Sequence, residues 1–112
     1  MKEVIEVQVK YDTPDHNNET RRKRYENFGM SCPEVIVSEE LEYLLDWFLD
    51  LNLDRVENNP ITRNDIQVWI EQTGNILWPE EINILKQLDQ VYRTAMSKEL
   101  DDIQKRQAAE LK

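Results

Sequence analysis

The spacing of apolar positions changes along this 112-residue chain. At the start, Ile5, Val7, Val9 and Tyr11 alternate with Glu6, Gln8 and Lys10, and a period of two predicts a β-strand. No second run offers this strand a partner. A lone strand is unstable in water, so the segment is expected to pair with another chain or to lie extended over helices. Residues 12–18, with Pro14, Asp15, Asn17 and Asn18, read as a polar loop. The basic run Arg21-Arg22-Lys23-Arg24 leads through Tyr25 and Phe28 to Gly29 and predicts a short helix. The whole leader, residues 1–33, is expected to be weakly ordered.

Helical spacing takes over after Ser38, a good N-cap followed by Glu39 and Glu40 where the helix dipole favours acids. Leu41, Leu44, Leu45, Phe48 and Leu51 form one stripe, which Trp47, Leu49 and Leu53 widen, predicting a helix over 39–52. After the polar loop 54–60, Thr62 and Asp65 stand at capping-box spacing before Ile66, Trp69 and Ile70, and Gly74 supplies a left-handed stop. This predicts a helix over 63–73. Pro79, Glu80 and Glu81 open a third, over 79–107, with the stripe Ile82, Leu85, Leu88, Tyr92, Ala95 or Met96, Leu100 and Ile103. Its last two turns outrun the other helices and are expected to project or to meet a partner, with 108–112 a frayed tail. The expected fold is mainly α: a small three-helix domain over 34–107 with an extended or single-strand N-terminal segment.

Charge sharpens this picture. The formal net charge is −9, but residues 1–30 balance to zero, residues 31–60 carry −7 and residues 61–112 carry −2. A phosphate backbone selects for clustered Lys and Arg, so this balance argues against nucleic-acid binding. One cysteine and one histidine give neither an internal disulfide nor a Cys/His metal framework. Charges at Glu3, Glu6 and Lys10 interrupt any secretory signal, and no apolar run reaches membrane-spanning length. The sequon Asn18-Glu19-Thr20 then reads as a chance match and Cys32 as a reduced thiol. The cytoplasm is the expected location.

Two motifs invite chemistry and fail on their own terms. Asp50, Asn52 and Asp54 match the start of a calcium-binding loop, but Arg55 replaces the turn glycine and Ile61 the bidentate glutamate. Helices two and three could imitate a DNA-binding helix-turn-helix, yet the second would present Glu80 and Glu81 before its first base, Lys86. His16 has no acid–base partner nearby in sequence, and Cys32 has no positive neighbour in sequence to activate it as a nucleophile. No phosphate loop or nucleophile motif occurs, so no enzyme, no catalytic residue, no metal site and no cofactor are predicted. Three tryptophans in so short a chain point instead to protein contacts. Trp69 fits the core. Trp47 cannot face inward together with its neighbour Phe48, since adjacent helical residues diverge by about 100°.

The stretches EVIVSEELEYLLDWFLDLN and PITRNDIQVWIEQTGNILWPEEINILKQLDQVYRTAM resemble small tail-assembly, chaperone-like proteins of long-tailed bacteriophages and prophages. The likeness rests on Leu45, Trp47 and Phe48; on Pro60, Ile61 and Thr62; on Trp69; on Thr73 and Gly74; and on Leu88, Asp89 and Tyr92. It spans about residues 34–96. The sequence departs from those proteins at one point, where Trp78-Pro79-Glu80 stands for Pro-Trp-Glu. The resemblance implies a non-enzymatic role in the host cytoplasm or virion: binding the tape-measure protein or tail-tube proteins during tail morphogenesis. Trp47, Phe48, Leu44, Leu51, Trp78, Tyr92 and Met96 are the expected partner contacts, with self-association through the N-terminal strand or the third helix. Two other roles fit the charge: an acidic nucleic-acid mimic acting against restriction or defence, and a minor structural component of the tail.

Overall fold

A computed structural model of the chain describes residues 2–110. Five α-helices account for its regular structure together with one 3-10 turn: α1 (Lys2–Asp12), α2 (Arg21–Asn27), α3 (Glu42–Leu53) entered through a 3-10 turn at Glu39–Leu41, α4 (Arg63–Thr73) and α5 (Pro79–Glu110). The fold is mainly helical, as expected. The helix count and the N-terminal strand are not, because the leader contributes two helices and no strand occurs among the described residues.

The leader's reversal has a physical cause. Without a neighbouring strand, the amides of residues 2–12 can be satisfied only within the segment, and a helix does this. The same side chains then regroup at helical spacing. Ile5 and Val9, one turn apart, are buried together with Tyr11, while Glu3 and Lys10 suit the dipole at their respective ends. α1 packs along α5, and its two aliphatic anchors join one core with Phe48, Leu51, Ile66, Leu85 and Leu88.

Local signals explain the other ends. Thr20 caps α2 by accepting from the Lys23 amide at 3.2 Å, and the turn before it closes on Asp15, whose carboxylate accepts from Asn17 and Glu19. The Glu19 amide bond, ahead of the one from Asn17, holds the Asp15 carboxyl below its ordinary pKa. Ser38 does not cap with its side chain; its carbonyl accepts from Leu41 in the 3-10 turn, and the α-helix proper starts at Glu42. Thr62 and Asp65 make both halves of a capping box, at 3.1 and 2.8 Å, and Gly74 ends α4 at φ 74°. At the head of α5, the Glu81 carboxylate accepts from the Trp78 amide at 2.7 Å.

α5 carries 32 residues and nearly spans the long axis of the molecule, 51 Å. It continues to Glu110, past the predicted end at 107, and residues 111–112 of the expected tail lie outside the described residues. Its last turns do not project. Arg21 bonds Glu99 and Asp102, His16 bonds Glu110, and Ile103 is buried. The predicted apolar stripe also shifts here: Leu100 is exposed, and the buried position is Glu99, paired with Arg21 and Arg106. Burial opposes the Arg21 charge, but Glu99 and Asp102 outweigh it and raise the Arg21 pKa.

The capping box gives a pH-dependent test. The Thr62 amide and hydroxyl hold the Asp65 carboxyl below its ordinary pKa. The stabilisation is therefore complete above about pH 4, the ordinary carboxylate value, and is lost as pH falls through the lower folded value. Thr62→Ala should lower urea-unfolding stability by about 1 kcal/mol at pH 7. The gap between Asp65→Asn and the parent should shrink on acidification below pH ~4. A gap that widens there would contradict the assignment.

Candidate interaction surface and its buried support

One buried carboxylate organises the middle of the molecule. Asp89, on α5, is 1% exposed and accepts from Arg55 at 2.5 Å, from the Ile61 amide at 3.2 Å and from Arg93 at 3.1 Å. Arg55 is itself buried. It donates further to the Asn52 side chain at 2.6 Å and to the Asn59 carbonyl at 2.7 Å, and its guanidinium lies 4.5 Å from the centre of the Tyr92 ring. The α3–α4 loop is thereby tied to α5 at both ends. Arg55, which spoils the calcium loop in the sequence, is the residue that makes the loop fold.

Aromatic rings continue from this hub. Tyr92 meets Phe48 edge-on at 6.0 Å, and a second run joins Tyr43, Trp47 and Trp69 at 5.0 and 5.9 Å. The Trp69 indole donates to Asp50 at 2.7 Å. Edge-to-face contacts of this kind add to ordinary burial and fix ring orientation.

The structure divides the expected partner contacts. Leu44, Phe48 and Leu51 are fully buried core residues. Tyr92, Met96 and Trp47 are partly buried and packed against that core. Trp78 stands apart at 71% exposed. Two residues before it Ile76 is 89% exposed, and at the entry to α3 Leu41 and Tyr43 are also exposed. The Glu81 carboxylate accepts from the Trp78 amide, and its closeness to the Tyr43 hydroxyl raises the Tyr43 pKa. Exposed Glu39, Glu40, Glu42, Asp46 and Glu80 lie on the same two helix starts. Ile76 and Tyr43 were not singled out by sequence spacing, Ile76 because it sits in a loop where no periodicity speaks for it; Leu41, which spacing placed on the core stripe, is exposed because it belongs to the 3-10 turn ahead of α3. A second groove, of about 380 Å³, runs between the α3–α4 loop and α4, with exposed Val56 and Val68 beside Asp54 and Asp65.

Among the described residues, no group of three His, Cys, Asp or Glu side chains is placed to hold a metal ion, and no helix is long and apolar enough to cross a membrane. What the arrangement offers is a rigid helical body with exposed apolar side chains beside carboxylates. A family model described as phage tail assembly chaperone matches residues 24–94. The chain belongs to this family, and the family implies a role in tail assembly with protein partners. No curated protein and no solved structure matches it. The matched span contains the Asp89 hub and the Trp78 end; α1 lies wholly outside it.

Removing one member of the hub strands the others. Asp89→Ala should lower stability by about 3–5 kcal/mol in urea unfolding, because Arg55 stays buried without its partner. The double variant Arg55→Met/Asp89→Leu should lose clearly less than the sum of the single changes. Strict additivity would show that the two side chains are not coupled.

Proposed function

We propose that this chain binds the tape-measure protein of the tail, and through it helps recruit tail-tube subunits, before polymerisation in the host cytoplasm. The observation that carries this reading is the exposure of Trp78, Ile76, Leu41 and Tyr43, with Glu81 beside both the Trp78 backbone and Tyr43. Contiguous exposed apolar side chains mark interaction sites, and a Trp at such a site is a frequent energetic anchor. The acids on the same two helix starts supply the complement: a helix with an apolar stripe and flanking Lys or Arg meets both the indole and the carboxylates. Long tape-measure helices present such stripes repeatedly, and a chaperone that covers them keeps them from associating with one another.

The buried residues in the expected contact set support this surface from beneath. Phe48 and Leu51 join α3 to the core shared with α5, Leu44 is buried, and Trp47 braces Tyr43. Trp47→Ala therefore mixes contact with packing, whereas Trp78→Ala removes an exposed ring and leaves the core intact. In pull-down with the tape-measure protein encoded nearby, the parent chain should be retained. Trp78→Ala should weaken binding by about 1–2 kcal/mol, or roughly tenfold, with unchanged thermal stability. Retention should also fall as salt rises, since the surrounding carboxylates are exposed. Full retention of Trp78→Ala would remove these residues as the contact surface, and absence of any retention of the parent chain would remove the tape-measure reading.

A further inference from the structure

The two helices of the leader are attached by different means. α2 and the turn before it are held by charge, through Arg21 on Glu99 and Asp102 and through His16 on Glu110. α1 is joined to α5 by apolar side chains alone, while at its end Asp12 pairs with Arg22 and Tyr11 meets the Tyr25 ring edge-on, both on α2. Ile5 and Val9 enter the core, but among the described residues no hydrogen bond or ion pair joins a side chain of Lys2–Tyr11 to α5.

α1 is also a poor helix by itself. Val4, Ile5, Val7 and Val9 are β-branched, and its 11 residues fall below the ~12–15 that a helix needs to persist alone. Its helical state depends on the seat. The seat is incompletely filled along one flank, where a cleft of about 710 Å³ lies between α1 and α5, with Val91 and Ala95 at its floor and Lys2, Lys10 and Lys98 at its rim. A hinge stands ready at Thr13-Pro14: Pro14 biases Thr13 towards extended backbone, and the Asp15 turn that follows is fixed by its own two amide bonds. Bending there, with release of Asp12 from Arg22 and of Tyr11 from Tyr25, moves α1 while α2 stays on Glu99.

We propose that α1 is an exchangeable helix: it leaves α5 while the remaining helices stay folded, and the vacated seat takes α1 of a second copy, giving a reciprocal dimer. A second copy is the occupant because α1 is the sequence whose fit to the seat the structure displays, and exchanging an identical element requires no new interface. The exchange is independent of the Trp78 surface and can be read without any tail protein. A short flexible link gives the chain's own α1 an effective concentration in the millimolar range, so dimer should appear as the chain approaches ~1 mM.

Native-state hydrogen exchange on the full chain tests the first half. The Val9 amide should exchange through an opening at least ~10-fold more frequent than the one that exposes the amides of Leu85 and Leu88. Exchange of α1 only in the global unfolding event overturns the proposal. Light scattering after size exclusion tests the second half. The parent chain should show a dimer fraction that grows with concentration at unchanged far-ultraviolet circular dichroism. Ile5→Glu/Val9→Glu should be monomeric throughout and keep the near-ultraviolet signal of Trp47 and Trp69. A parent chain monomeric at every concentration, a dimer that survives in the double variant, or loss of the aromatic signal in that variant each overturns it.

Discussion

The fold turns on a carboxylate that ordinary packing rules would keep at the surface. Asp89 is enclosed, and its two oxygens are taken by two guanidinium groups and a backbone amide. Placing charges in a low-dielectric interior is unfavourable unless their partners are well aligned, and such a pair need not add net stability. Its effect here is directional. Apolar contacts between α3, α4 and α5 tolerate small slides, whereas bonds to Arg55 and Ile61 specify where the loop between α3 and α4 crosses α5. That crossing sets the position of α4, hence of Trp69 against Trp47, and so the brace beneath Tyr43.

The helical domain was largely legible because its signals are local. The box formed by Thr62 and Asp65, the left-handed Gly74 and Pro79 at the head of α5 each act within one turn of the residue that carries them. The leader was not legible, for a reason visible in Ile5, Val7 and Val9. β-branched residues at alternate positions read as a strand, and nothing local says that the partner needed for a strand is missing. Tertiary context decided the matter, with Ile5 and Val9 placed one helical turn apart in a core that includes Leu85 and Leu88 far downstream on α5. The same holds for the end of α5: Leu100 reads as core and Glu99 as surface until Arg21 arrives from the leader and reverses them.

The site was legible in its materials more than in its geometry. The unusual number of tryptophans and the concentration of acid in residues 31–60 pointed to α3 and its surroundings. Helical spacing alone could not tell an exposed side chain from a buried one, and Leu44, Phe48 and Leu51 are buried. Arg55 shows the converse. A residue that ruled out one motif carried a different signal: a lone cation within a strongly acidic stretch, whose partner Asp89 lies on another helix.

The unbroken length of α5 couples these regions through phase. Asp89 and Glu99 stand on one helix and face different partners, the loop and the leader. Inserting a single residue between them would turn everything downstream by about 100° and carry Glu99 and Ile103 away from Arg21. Adding seven would restore the angle to within ~20° and simply lengthen the rod. A sequence that keeps this leader can therefore vary the spacing only by near-whole numbers of turns, such as about seven or eleven residues, whereas a sequence without it is free of that restriction. The distance from the Leu-Asp-x-x-Tyr element to the end of the last helix thus becomes a readable mark of which architecture a given sequence adopts.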